Sequence, residues 1–177
     1  IVKIDQLSEK AQQYNYDSIA ITDSANLFGF LKFYKSVRSK GIKPIAGAEI
    51  NHVRDSSSHN EHANLTLIAK NKLGYKNLIK LISKSQIAGK TSGIPVIETE
   101  WLAEHSDGLI ALSGGFRGHI GKAVLDTNHD LFLKRIKYFQ KIFKEDFILE
   151  ISRINRPQED IYNDYILSKA GELGLPV

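Results

Sequence analysis

The sequence predicts an α/β protein with a largely parallel sheet, and three observations carry that expectation. Short apolar runs alternate along the whole chain with segments whose apolar residues recur every three or four positions. The first of these runs, Ile19-Ala20-Ile21, is continuous rather than alternating, as a strand covered on both faces would be. It ends at once in Thr22-Asp23-Ser24, and parallel α/β proteins gather the polar side chains of their binding loops at such strand ends. The order βαβα suits a barrel or an open sheet, and periodicity does not choose between them.

The elements follow in order. Ile4, Leu7, Ala11 and Tyr14 stand at helical spacing, and a strand is expected at 19–22. Phe30, Leu31, Phe33, Tyr34 and Val37 form a helix stripe closed by Gly41. A strand at 44–50, a polar loop at 55–62 and a strand at 65–69 come next. Residues 74–85 predict a helix with Tyr75, Leu78, Ile79 and Ile82 inward. Residues 95–97 begin a connection into a short helix at 98–104, and 109–112 is a strand. A glycine-rich loop, a short helix at 120–125, a longer one at 131–143 and a strand at 147–151 follow. Pro157 suits the first position of a last helix that runs to Leu173. The closing Leu175-Pro176-Val177 reads as the start of another strand, and the opening residue is Ile1. The chain is therefore expected to be a segment of something longer.

Composition narrows the function classes. The chain has 177 residues, 42% hydrophobic and 25% charged, which fits one soluble domain with one sizeable core. Its net charge of +4 and pI of about 9.1 permit a polyanionic partner without demanding one. There is no cysteine, which excludes disulfides and thiolate metal sites and suits a reducing compartment. No apolar run approaches the roughly 18 residues that span a bilayer. A cytoplasmic protein without a membrane partner is the expectation.

Several constellations carry possible chemistry. Asp23 and Glu49 end neighbouring predicted strands, the start of a divalent-metal or acid/base site, although an acid there also caps loop amides. The loop from Ser113 to Gly121 holds Gly114, Gly115, Gly118 and Arg117 between a strand and a helix. Its amides could cradle a phosphate, or its glycines could simply permit a tight turn. His59 and His62 share a polar loop without further ligands nearby in sequence. Lys72, Lys76, Lys80 and Lys84 line one side of their helix, where they either track a phosphate backbone or form a solvated face.

The runs Ala20-Ile21-Thr22-Asp23-Ser24-Ala25-Asn26-Leu27-Phe28-Gly29 and Gly41-Ile42-Lys43-Pro44-Ile45-Ala46-Gly47-Ala48-Glu49 resemble the amino-terminal PHP domain of bacterial DNA polymerase III alpha subunits. Leu65-Thr66-Leu67-Ile68-Ala69, Gly74-Tyr75-Lys76-Asn77-Leu78, Gly108-Leu109-Ile110-Ala111-Leu112-Ser113-Gly114-Gly115 and Phe147-Ile148-Leu149-Glu150-Ile151 extend the resemblance over nearly the whole chain. It implies a distorted (β/α)7 barrel, incomplete at both ends here, with a cluster of His, Asp, Glu and sometimes Cys at the strand ends for metal-dependent phosphoester hydrolysis. Of the ligand positions that match, Glu49 is kept. Ser24, Asn64, Gly115 and Ile154 stand where histidines or a cysteine are expected, and none replaces an imidazole or thiolate donor.

The resemblance thus implies a degenerate metal site with no cofactor of its own. The parent chain would be a DNA-directed DNA polymerase, a nucleotidyltransferase of DNA replication using Mg in other domains. Its PHP domain would support the polymerase core and dock the proofreading exonuclease, alongside other polymerase III holoenzyme subunits and DNA. One alternative is a metal-dependent phosphoesterase or 3'-5' exonuclease rebuilt around Glu49. Another is an unrelated barrel enzyme acting on small phosphorylated substrates through residues 114–121. A buried carboxylate needs compensation. Arg117, or failing that Arg153, is therefore expected to contact Glu49 or Asp23 in place of the metal.

Overall fold

A six-stranded mixed sheet forms the centre of the protein, and the computed structural model describes residues 3–53, 62–91 and 93–177. In chain order the first elements are α1 (Ile4–Gln13), β1 (Ser18–Ser24), α2 (Phe30–Arg38), β2 (Lys43–Val53), β3 (His62–Ala69) and α3 (Lys72–Ile87). A two-stranded ribbon, β4 (Lys90–Thr91) with β5 (Ile94–Pro95), leads to β6 (Ile97–Glu98) and α4 (Thr99–Glu104). Then come β7 (Leu109–Leu112), α5 (His119–Leu125), α6 (His129–Phe143), β8 (Phe147–Ile148) and α7 (Glu159–Leu173). Capping chemistry explains several boundaries: the side chains of Asn71 and Asn128 accept from the amides of Gly74 and Leu131, each at 3.0 Å, to open α3 and α6.

The sheet order is β1-β2-β3-β7-β8, with β6 pairing the far end of β2. β2 is long enough to hold β1 along residues 43–49 and β6 at His52 and Val53. The α/β class is as expected, but the largely parallel sheet is not. β3 runs antiparallel to both β2 and β7, while β1–β2, β2–β6 and β7–β8 are parallel. The eight residues between β2 and β3 are too few for the crossover a parallel return requires. Among the described residues the sheet does not close, and β1, β6 and β8 lie at its margins.

Edge position also explains why β1 is not covered on both faces. Ile19 and Ile21 pack against a small cluster of Ala11, Phe33, Val37 and Ile42 from α1, α2 and the segment after it, yet Ile19, Ala20 and Ile21 are only half-buried. The main core lies against α3, α5, α6 and α7, where Leu65, Leu67, Leu78, Leu81, Phe132, Phe139 and Phe147 are fully enclosed. Each such side chain contributes about 1.5–3 kcal/mol of burial. The Phe139 and Phe147 rings stack at 5.3 Å, which fastens α6 to β8.

Other expectations shift by a few residues. α3 turns Asn77, Leu78, Leu81 and Ile82 inward, while Ile79 is 39% exposed and Tyr75 half-buried. The strand expected at 147–151 is regular only at Phe147 and Ile148. Beyond it, the Leu149 amide donates to Pro176 O at 2.9 Å, so the closing residues do return to this edge. Pro157 lies before α7, whose first turn instead follows Gln158 at φ 63°.

Two glycines in helices make opposite predictions. A Cβ at Gly74 would stand 1.8 Å from Gly108 O, a backbone atom that cannot step aside, so Gly74→Ala should cost about 1–3 kcal/mol. At Gly171 in α7 nothing lies within 4 Å, so Gly171→Ala should stabilise by about 0.5–1 kcal/mol through helix propensity. Chemical unfolding midpoints should move in opposite directions for the two variants.

Candidate functional site

One cleft of about 210 Å³ over the middle of β2, the start of β3 and the β8 extension collects most of the positions singled out from sequence. Glu49, Asn64, Gly115 and Ile154 line it together, with Arg117 beside them. Ser24 is not in the lining, but pairs with Glu49 in the β1–β2 register and so points to the same face of the sheet. The fold therefore brings Glu49 and Asn64 beside Gly115 and Ile154, positions far from them in sequence.

Asp23 does not belong to this site. It pairs with Ala48, so its side chain lies on the sheet face opposite Glu49. Its Oδ2 accepts the Gly29 amide at 3.0 Å, the loop-capping role. The rest of that loop is held by Asn26, whose Oδ1 accepts the Phe28 amide at 2.9 Å and whose Nδ2 donates to Ser24 O at 2.8 Å.

Sequence reasoning missed the second carboxylate of the cleft, Glu150, and a second arginine, Arg156. The signal for Glu150 was available: Phe147-Ile148-Leu149-Glu150 is an apolar run ending in an acid, as in the stretch before Asp23. Glu150 is fixed through its backbone. Its amide donates to Ser113 Oγ at 2.9 Å, and its carbonyl accepts the hydroxyl of buried Tyr162 at 2.8 Å. Its Oε2 is buried and without a hydrogen-bond partner among the described residues. Burial pushes the Glu150 carboxyl above its ordinary value, a hydrogen bond from the Gly114 backbone pulls it back, and the nearby Glu49 carboxylate adds to the rise.

The outer wall of the cleft, residues 152–156, is buckled onto Glu159. That carboxylate is 4% exposed, and it accepts the Ser152 hydroxyl and the Ile154 amide at 2.7 Å each. The Ser152 hydrogen bond, joined by those backbone amides, holds its carboxyl below the ordinary value.

Neither arginine fills the place expected for it. Among the described residues no ion pair joins Arg117 or Arg153 to Glu49 or Asp23, and Arg153 is exposed outside the cleft lining. For Asp23 the physical reason is that it lies on the opposite face of the sheet and already accepts the Gly29 amide. The cleft's donors also do not fit a transition-metal cluster. An amide, a glycine and an isoleucine occupy three lining positions. Among the described residues no group of three or more His, Cys, Asp and Glu is placed to hold a metal ion.

The remaining candidates separate. The loop glycines are accounted for by close backbone packing, since a Cβ at Gly114 would lie 2.0 Å from Asn64 O and one at Gly118 would lie 1.8 Å from Ser113 O. His62 begins β3, and its carbonyl accepts Lys122 Nζ at 2.8 Å; His59 lies outside the described residues. The lysine stripe is broken: Lys72, Lys76 and Lys80 are exposed, but the Lys84 ammonium sits 4.4 Å over the Trp101 ring.

Comparison with known proteins places this geometry. Residues 1–154 match the PHP domain family. DNA polymerase III subunit alpha of Vibrio cholerae is 39% identical over 175 residues, 99% of this chain and 15% of that protein. The corresponding subunit of Escherichia coli K12 is 38% identical over 177 residues, 100% of this chain and 15% of that protein. The Borreliella burgdorferi subunit is 37% identical over 182 residues, 99% of this chain and 16% of its own length. The chain thus spans about 15% of the first of these relatives. Among solved structures, a candidate metal-dependent phosphoesterase of Bifidobacterium adolescentis superposes with a TM-score of 0.63 at 11% identity, covering 99% of this chain and 80% of that one. That likeness is one of fold.

Because the fold holds Glu150 above its ordinary value of 4.5, its contribution to stability is fully present below that value and is lost as pH rises through the folded one. Glu150→Gln removes the ionisation. The variant should therefore gain stability over the wild type in buffers well above pH 4.5, and the gain should shrink below it. Thermal unfolding across a pH series checks this, and a gain independent of pH would contradict the assignment.

Proposed function

The chain belongs to the PHP domain family, and from that premise we propose that it is the PHP portion of a replicative DNA polymerase III alpha subunit, a domain that performs no hydrolysis of its own. The observation that supports this best is the 36–39% identity to alpha subunits, maintained over 99–100% of this chain. In this reading the parent chain is a DNA-directed DNA polymerase that replicates DNA in the cytoplasm within a multi-subunit assembly. The present domain supports the polymerase core and docks the proofreading exonuclease. Nucleotidyl transfer, and the Mg it uses, belong to other parts of the parent chain. No residue described here is assigned to it.

The donor chemistry of the cleft supports the loss of hydrolysis. Asn64, Gly115 and Ile154 line it where imidazole or thiolate donors would be needed, which leaves Glu49 and Glu150 as its only carboxylates among the described residues. Those two acids are also what favours the second reading, a PHP-type metal-dependent phosphoesterase or 3'-5' exonuclease. A single hard cation takes oxygen donors. Elemental analysis separates the readings. The chelator-washed domain should carry well under one equivalent of Zn²⁺ or Mn²⁺, and a full equivalent of either would favour the phosphoesterase.

Docking has its own test. The intact amino-terminal region of the parent alpha subunit should bind the matching proofreading exonuclease in calorimetry. Absence of binding at tens of micromolar, roughly −6 kcal/mol, would leave the domain with the scaffold role alone.

A further inference from the structure

Away from the cleft, an apolar groove of about 520 Å³ runs between the β1–α2 loop and the outer face of α3. Its edges are unusually bare: Phe28 is 90% exposed, Ile87 is 84% exposed, and Ile79 is open on the helix face between them. Leu27, Tyr75 and Ile82 complete an apolar floor, and Gln86 Nε2 ties α3 to the loop through Ala25 O at 3.0 Å. A contiguous bare patch of this kind marks an interaction site more often than scattered surface apolar residues do.

The charge around it identifies the occupant. α2 and α3, which flank the groove, contain Lys32, Lys35, Arg38, Lys72, Lys76, Lys80 and Lys84 and no Asp or Glu. Lys32 is engaged with Asp5 and Lys84 with Trp101. Lys72, Lys76 and Lys80 are exposed. Lys76 and Lys80 each follow a groove residue, Tyr75 or Ile79, and so stand about 100° round the helix as a cationic rim. No lysine or arginine lies in the floor itself. A nucleic-acid strand needs cations where its phosphates run and a row of aromatic rings under its bases, whereas this groove keeps its cations to the rim and sets its two rings, Phe28 and Tyr75, among aliphatic side chains.

We propose that this groove docks an amphipathic segment of a protein partner, with apolar side chains entering between Phe28, Ile79 and Ile87 and with Asp or Glu on its flank meeting Lys72, Lys76 and Lys80. The inference deepens the docking reading above and rests on it only for the existence of a protein partner. Recognition divides between an apolar face laid into a groove and a charged rim that sets orientation and speeds encounter.

The test uses the full-length parent chain and four probes in calorimetry. These are the matching exonuclease, two synthetic helical peptides that share one apolar face but carry Glu or Lys on the flank, and an oligo-dT strand. Phe28→Ala with Ile87→Ser removes the groove's edges, and Lys76→Glu with Lys80→Glu reverses its rim. All four positions are exposed, so both double variants should fold, as circular dichroism verifies. The Glu-flanked peptide should bind about tenfold more tightly than its Lys-flanked counterpart, and each double variant should weaken the exonuclease and the Glu peptide about tenfold or more. If the exonuclease binds wild type and both variants equally, the groove is overturned while docking elsewhere stands. If the Glu peptide binds at the groove but the exonuclease binds nowhere, the docking of the exonuclease fails while the groove's selectivity for an acidic amphipathic segment stands. Binding of oligo-dT that is lost in the same variants would overturn it in favour of nucleic acid.

Discussion

The close approach of the loop after β7 to the start of β3 is the contact on which the rest of the site depends. Gly114, at φ 78°, lets its backbone lie against Asn64 O where any Cβ would collide, and Asn64 bridges Gly118 on the next turn. Gly121 repeats the arrangement one turn into α5, with its Cβ position 2.3 Å from Gly115 O. These contacts carry Gly115, Phe116 and Arg117 over the strand ends, while Ser113, from the same loop, takes the amide of Glu150. The cleft is thus made by backbone packing. Its side chains are tenants of a space whose shape they do little to determine.

That separation explains the electrostatics. A buried or half-buried acid could be compensated by a metal or an arginine, but for Asp23 and Glu159 the compensation is local and comes from neighbouring backbone amides and a serine hydroxyl. Asp23 is held by the Gly29 amide and Glu159 by the Ser152 hydroxyl with the Ile154 amide, while Glu150 takes one backbone bond from Gly114 and keeps a buried Oε2 without a partner among the described residues. Backbone amides cost no side-chain entropy to order, which makes them competitive with a long arginine at a solvent-exposed rim. Among the described residues Arg117 and Arg156 line the cleft without closing an ion pair.

Much of this was legible in the sequence, for reasons that differ by element. Amphipathic spacing located α1, α2 and α6, and an unbroken apolar run located β1, because those patterns are local. The burial of β1 was misjudged because coverage depends on which strands pair with it, and an edge position leaves no local mark. The face of α3 was misjudged for a related reason. Asn77 turns inward because its Nδ2 reaches the carbonyl of Asp107 at 2.9 Å, a partner 30 positions away. In the cleft, Glu49 and Gly115 stood out as a strand-end acid and a loop glycine, and Asn64 and Ile154 by resemblance, whereas Glu150 was passed over although it too closes an apolar run. That Arg117 lines the cleft without an ion pair to Glu49 or Asp23 among the described residues leaves no local mark in the sequence.

The pairing of β2 on both edges has a consequence for how such a domain can vary. Ser24 and Glu49, Thr66 and Glu49, and Asn64 and Asn51 are fixed opposite one another by a ladder that also carries Ala48, Ile50 and Leu67 into the core. Exchanging a side chain at the cleft leaves every rung in place. Inserting or deleting one residue in β2 would turn the strand over, sending Ile50 to the cleft and Glu49 into the apolar interior. The domain therefore tolerates a change of chemistry far more readily than a change of length, and a family built on this ladder can exchange its reactive groups one at a time while its outer surfaces keep their places.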